Sequence, residues 1–132
     1  GIADRAISNE TQLMEYLRVL YPSHVIEVVA FEGLPFRQQL EQIARTDLLI
    51  SIHGAGNVHV LFLPNHATMV EYFPTHFHRF RFAYLSSCLG LDYRLRMATI
   101  VETRADKKIA VQLTPDATYE CCFKKMPHLP KQ

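Results

Sequence analysis

Residues 47–74 read Asp-Leu-Leu-Ile-Ser-Ile-His-Gly-Ala-Gly-Asn-Val-His-Val-Leu-Phe-Leu-Pro-Asn-His-Ala-Thr-Met-Val-Glu-Tyr-Phe-Pro. The apolar runs 47–52 and 67–73 have the length and composition of strands buried on both faces. Between them, His53-Gly54-Ala55-Gly56 forms a tight turn that leads into a short helix from about Asn57. Gly54 and Gly56 carry no side chain to hold a ligand off the backbone, and the first amides of a helix lack intrahelical partners and point outward. An anion fits there, and the arrangement suits the diphosphate of a nucleotide. Glu71 ends the next strand, where open parallel sheets often hold ribose hydroxyls. The same carboxylate has a rival use in pairing with Arg79 or Arg81.

The flanks extend this alternation of helix and strand. Asn9, with Gln12 three residues on, predicts the cap of a helix whose Leu13, Tyr16, Leu17 and Leu20 share one face, ending before Pro22. Residues 24–31, dense in Val and Ile, read as a further buried strand, followed by a break at Gly33. Pro35 suits the first turn of a second helix with Phe36, Leu40 and Ile43 inward and Arg37, Glu41 and Arg45 outward. A third helix is expected over 78–89, ended by Gly90. Tyr93, Leu95 and Met97 alternate with Arg94 and Arg96, the pattern of an edge strand with one wet face. From residue 103 the pattern dissolves into charged residues, a Thr-Pro-Asp turn and a Pro-rich end.

Strands separated by helices call for parallel crossovers, so the expected core is an α/β fold with an open, doubly wound parallel sheet of Rossmann-like type. The chain divides into a lobe at 1–102 and an irregular extension at 103–132. Its 132 residues make one domain, 48% hydrophobic and 20% charged, with a net charge of +1. That balance gives no broad attraction to nucleic acid or to an anionic membrane, so an anionic ligand must be met locally. No apolar run is long enough to cross a bilayer.

Three cysteines cannot all pair within the chain. Cys88 stands apart from the adjacent Cys121 and Cys122, so either one of the pair bridges to Cys88 or to another segment, or all three are reduced. The histidines at 53, 59, 66, 76 and 78 lack the spacing of a metal centre: His53 and His59 are six apart across a turn, with no carboxylate at a diagnostic offset. No metal is expected. His59 reads as structural, and Gln39 and Gln42 divide between ligand contact and a solvated helix face.

Phe36-x-x-Gln39, Gln42-Ile43, Thr46-Asp47, His53-Gly54-Ala55-Gly56, Leu61-Phe62-Leu63-Pro64 and Glu71, with Arg5-x-Ile7-x-Asn9-Glu10 upstream, occur in the order and spacing of one family. Over residues 5–100 the chain resembles glycosyltransferase family 61. The resemblance implies an inverting transferase of the secretory pathway (endoplasmic reticulum or Golgi), built as two lobes of the GT-B type. Its donor would be a UDP-sugar, GlcNAc or xylose, its acceptor a protein or glycan hydroxyl, and it would require no cofactor. The chain would supply the carboxyl-terminal donor-binding lobe and need an amino-terminal lobe as partner. His53, Gly54, Ala55, Gly56, Asn57, Glu71 and Gln39 would contact the donor, and His53 and Arg5 would stabilise the leaving group. The base stays unassigned. Where the family commonly has Leu after His-Gly-Ala-Gly, this chain has Asn57, which would set a polar group beside the diphosphate. The alternative is a noncatalytic nucleotide-binding or interaction module on the same fold.

Overall fold

The computed structural model describes residues 5–74, 79–103 and 109–113. The elements, in order, are β1 (Arg5–Ile7), α1 (Glu10–Leu20), α2 (Phe36–Ala44), β2 (Leu48–Ile52), a 3-10 helix (Ala55–Phe62), β3 (Thr68–Pro74), α3 (Arg81–Cys88), β4 (Asp92–Thr103) and β5 (Ile109–Leu113). They build one five-stranded sheet in the order β1-β5-β4-β3-β2. β2, β3 and β4 are parallel, with Leu49 beside Met69 beside Tyr93, and Ser51 beside Glu71 beside Leu95. The fold is α/β, as expected, but its sheet is mixed: β5 runs antiparallel to β4 and parallel to β1.

Alternation along the strands sends two sets of side chains to opposite faces. On one face Ile43, Val60, Leu63, Ala67, Met69, Phe82 and Leu91 close into a core, with Phe31, Leu49, Leu85 and Tyr93 packed against it. α2, the 3-10 helix and α3 cover that face. On the other, Leu13 and Leu17 of α1 pack over Ile50, Ile52, Val70, Tyr72 and Ala98. Burial raises the Tyr72 phenol above its ordinary pKa, offset in part by the Arg96 cation.

Several expectations need correction. Residues 24–31 form no strand. Val25 is 83% exposed and Val28 57% exposed, because the segment has no strand beside it to satisfy its backbone, and a lone extended chain stays solvated. Over the stretch expected to be an edge, β4 is one-sided: among the described residues 92–97 pair with β3 alone, while from Ala98 onward β5 pairs along the strand and places its last part inside the sheet, with an irregularity between Ile100 and Glu102. β5 itself lies within the stretch expected to be irregular. Pro35 occupies the cap of α2 and not its first turn, and Phe36, expected inward, is 60% exposed. Asn9 precedes α1 without a side-chain cap bond, although its carbonyl accepts from Leu13.

Other boundaries agree. α1 ends before Pro22, and Gly90 closes α3 with a left-handed φ of 70° that favours glycine. Cys88 is a free, exposed thiol, while Cys121 and Cys122 lie outside the described residues. Among the described residues no helix is long and apolar enough to cross a membrane.

Candidate functional site

The site grows from the carboxyl end of β2. The His53 amide donates to the Tyr72 carbonyl at 2.8 Å, carrying β2–β3 pairing one residue past the strand. Gly54 then runs fully extended, at φ 178° and ψ 172°, into the 3-10 helix. This helix opens at Ala55, two residues before its expected start, and the Asn57 amide already donates to the Gly54 carbonyl at 3.0 Å. Ala55 and Gly56 are exposed. A Cβ built on Gly56 would meet no protein atom within 4 Å, so the backbone is open on that side.

Behind this turn lies Glu71, fully buried at 0% exposure. A carboxylate enclosed this way costs free energy unless hydrogen bonds replace its water. Three donors do so: His53 Nδ1 at 2.6 Å and Asn57 Nδ2 at 3.1 Å to Oε1, and the Tyr93 hydroxyl to Oε2. Neither Arg79 nor Arg81 is among these three donors. Asn57 is 4% exposed and turns inward to Glu71, so its side chain does not stand beside an anion in the turn. Ser51, beside Glu71 in the sheet, has an enclosed hydroxyl oxygen without a hydrogen-bond partner among the described residues.

Because the carboxylate can only accept, His53 Nδ1 carries the proton, and the tautomer and orientation of the ring follow. Phe73 stacks on that ring at 4.9 Å between centroids, and Phe82 tilts against it at 5.5 Å. Two aromatic faces and one carboxylate therefore fix a histidine at the mouth of the turn. The sequence placed His53 and Glu71 at neighbouring strand ends but did not reveal that each holds the other. Tyr93 was passed over as an apolar member of an alternating strand, and only the register with Met69 discloses its reach to Glu71.

Gln39 and His59 sit deeper. Gln39 binds His59 and the turn before α2. Gln42 faces outward, accepting from Arg45 at 2.9 Å. Arg5 is not brought to the turn: β1 lies at the opposite edge of the sheet, four strand positions from β2, or about 19 Å at the usual strand spacing. His76 and His78 lie outside the described residues, and among those described no three His, Cys, Asp or Glu side chains converge as a metal site.

A parallel αβ layer with a glycine turn and a helix at a strand's carboxyl end defines the class of α/β proteins that take ligands at strand ends. Residues 3–70 match the profile of Glycosyltransferase 61, just over half the chain, and the chain belongs to that family. It is 42% identical over 67 residues to the EGF domain-specific O-linked N-acetylglucosamine transferase of Drosophila melanogaster, a match covering 51% of this chain and 13% of the relative. To the same-named enzyme of Bos taurus it is 37% identical over 68 residues, again 51% and 13%. To protein O-linked-mannose beta-1,4-N-acetylglucosaminyltransferase 2 of Canis lupus familiaris it is 35% identical over 71 residues, 54% of this chain and 12% of the relative. The match thus spans about an eighth of the length of these relatives.

Proposed function

We propose that this chain forms the donor-binding part of a glycosyltransferase that moves a sugar, GlcNAc or xylose, from a UDP-sugar to a protein or glycan hydroxyl with inversion. The observation that carries the reading is the open Gly56 backbone beside a histidine locked by a buried carboxylate. Family membership and the relatives' names support sugar transfer to protein. The secretory pathway is the compartment this reading implies.

In such a transfer the bond from the anomeric carbon to the diphosphate oxygen breaks as the acceptor oxygen attacks, and negative charge grows on the departing UDP. The exposed amides of Ala55 and Gly56 at the helix start would meet that charge. His53, held by Glu71 through Nδ1, would donate to a phosphate oxygen from its other nitrogen only when that nitrogen also carries a proton, and the carboxylate would then balance the charge of the imidazolium. Glu71 then works through His53 and not on the ribose. The acceptor's base and the acceptor-binding lobe would come from outside the described site.

Calorimetric titration of UDP and GDP into the chain and into Gly56→Val tests this. A Cβ at 56 points into open space, so the variant should melt close to the parent yet bind UDP at least about tenfold more weakly. Equal UDP affinity in the two proteins, or no UDP binding by the parent, would remove the cradle from the mechanism.

A further inference from the structure

β2 forms one edge of the sheet, and among the described residues nothing pairs with its outer side. The ladder to β3 fixes which backbone groups face out. The His53 amide donates to the Tyr72 carbonyl and the Asp47 carbonyl accepts from the Thr68 amide, so residues 47 and 53 turn their backbone groups toward β3. Leu49 and Ser51, two residues apart along the same ladder, do likewise. Alternate residues of a paired strand point the other way. Leu48, Ile50 and Ile52 therefore present three N–H and three C=O groups to the outside.

Exposed edges are usually blunted by charge, proline, a bulge or shortness. β2 has none of these devices. Leu48–Ile52 contains no charged residue and no proline, its register with β3 runs without a shift, and it is five residues long against three in β1 at the opposite edge. Residues 24–31 have the composition of a strand but form none, and they leave this edge open.

The edge fits a second copy of itself. Two antiparallel β2 strands overlap fully when a two-fold axis passes through Ile50, which sets Ile50 against the partner's Ile50 and Leu48 against the partner's Ile52. All three outward residues then fall in hydrogen-bonded pairs, and every outward N–H and C=O finds a mate. The uncharged strand offers no repulsion to its own copy. The same register sets Asp47, an exposed carboxylate, opposite the partner's His53. Residues directly opposite share a face, with Cβ atoms about 4.5–5.5 Å apart. Within one copy these two residues stand at opposite ends of β2, about 20 Å apart at the usual strand rise.

We propose that two copies join β2 to β2 into one continuous sheet, and that this pairing masks the cradle by setting the partner's Asp47 against the mouth of the turn. The masking rests on the donor reading above; the pairing does not. A carboxylate there competes with an anionic ligand for the same space and repels it. By reciprocity, an anion in the cradle loosens the pair by the factor that the pair weakens the anion.

Light scattering and amide hydrogen exchange test the pairing without any ligand. At about 100 μM the parent should be a dimer, in which the Leu48, Ile50 and Ile52 amides exchange as slowly as those of Leu49 and Ser51, which β3 holds. Leu48 is half-buried and belongs to neither core cluster, so Leu48→Lys charges the edge and leaves the ladder to β3 in place. That variant should be a monomer in which the amides at 50 and 52 exchange faster than those at 49 and 51. A monomeric parent, a larger assembly, a dimer whose Ile50 and Ile52 amides exchange fast, or a dimeric Leu48→Lys chain would each overturn the pairing.

Titration of UDP reads the masking. Leu48→Lys should bind UDP about tenfold more tightly than the dimeric parent. Asp47→Asn should raise affinity in the dimer but not in the Leu48→Lys background, where the chain's own Asp47 lies beyond the screening length of about 8 Å from the turn. Equal UDP affinity in the parent and Leu48→Lys, or the same gain from Asp47→Asn in both backgrounds, overturns the masking. A Leu48→Lys monomer that binds no UDP would overturn the donor reading, and the masking with it, while the β2 interface would stand.

Discussion

The two faces of the sheet are built to different standards. Under α2, the 3-10 helix and α3, Val60, Ala67 and Met69 are at 0% exposure and Ile43 at 1%. Under α1, among the described residues, the buried cluster is Leu13, Tyr72 and Ala98, while Val19 is 81% exposed and Leu20 50%. The complete face is also the one from which Glu71 and Tyr93 build the site, so the protein spends its tightest packing on holding His53. Apolar side chains alone do not make a core; they need a second layer to press against.

Urea unfolding of single variants should separate the faces. Ile43→Ala, which empties a filled position, should cost about 2–5 kcal/mol. Leu17→Ala on the α1 face, where the side chain is only partly enclosed, should cost about 1 kcal/mol. Val28→Thr should fall within about 0.5 kcal/mol of the parent. Equal costs at Ile43 and Leu17 would mean that the faces are equally packed.

A smaller effect should appear at alkaline pH. Burial raises the Tyr72 pKa, so its contribution to stability is complete below the ordinary tyrosine value of about 10 and is lost as pH rises through the folded value. The parent should lose stability above about pH 10 in thermal melts, and Tyr72→Phe should lose less of it. Identical alkaline melting of the two would show that the α1 face does not hold the phenol neutral.

Much of the fold was legible because the relevant signals are local. The runs at 47–52 and 67–73 announced strands, although only β3 is largely buried and β2, at the sheet's edge, is half-buried throughout, and Gly90 and Pro22 announced helix ends. What failed depends on neighbours. Residues 24–31 have the composition of a strand, yet a strand exists only through a backbone partner, and composition does not supply one. The Arg94 and Arg96 alternation correctly reported a wetter face, with Arg94 exposed and paired to Asp92 at 3.1 Å. The edge reading holds for residues 92–97, which pair with β3 alone among the described residues, and fails from Ala98 onward, where β5 joins.

The site divides in the same way. His53, Gly54 and Gly56 were legible from their spacing, and Glu71 from its position at a strand end. The rest was not: Tyr93, Asn57 and Gln39 act through contacts 14 to 22 residues away in sequence, two of them with Glu71 and one with His59. Arg5 illustrates the converse, since a motif residue can be carried to the far edge by the order in which strands assemble.

That order has a kinetic consequence. β2, β3 and β4 are successive in the chain, whereas β1 reaches β5 across about a hundred residues, from Arg5 to Ile109. Closing so long a loop costs entropy before the contact repays it, and it repays little here, because among the described residues three pairs join the two strands. The β1–β5 ladder should therefore zip up last and fray first. Amide hydrogen exchange would show this as faster exchange along residues 5–7 than along residues 48–52, and the reverse ranking would place the nucleus of folding at the chain's two ends.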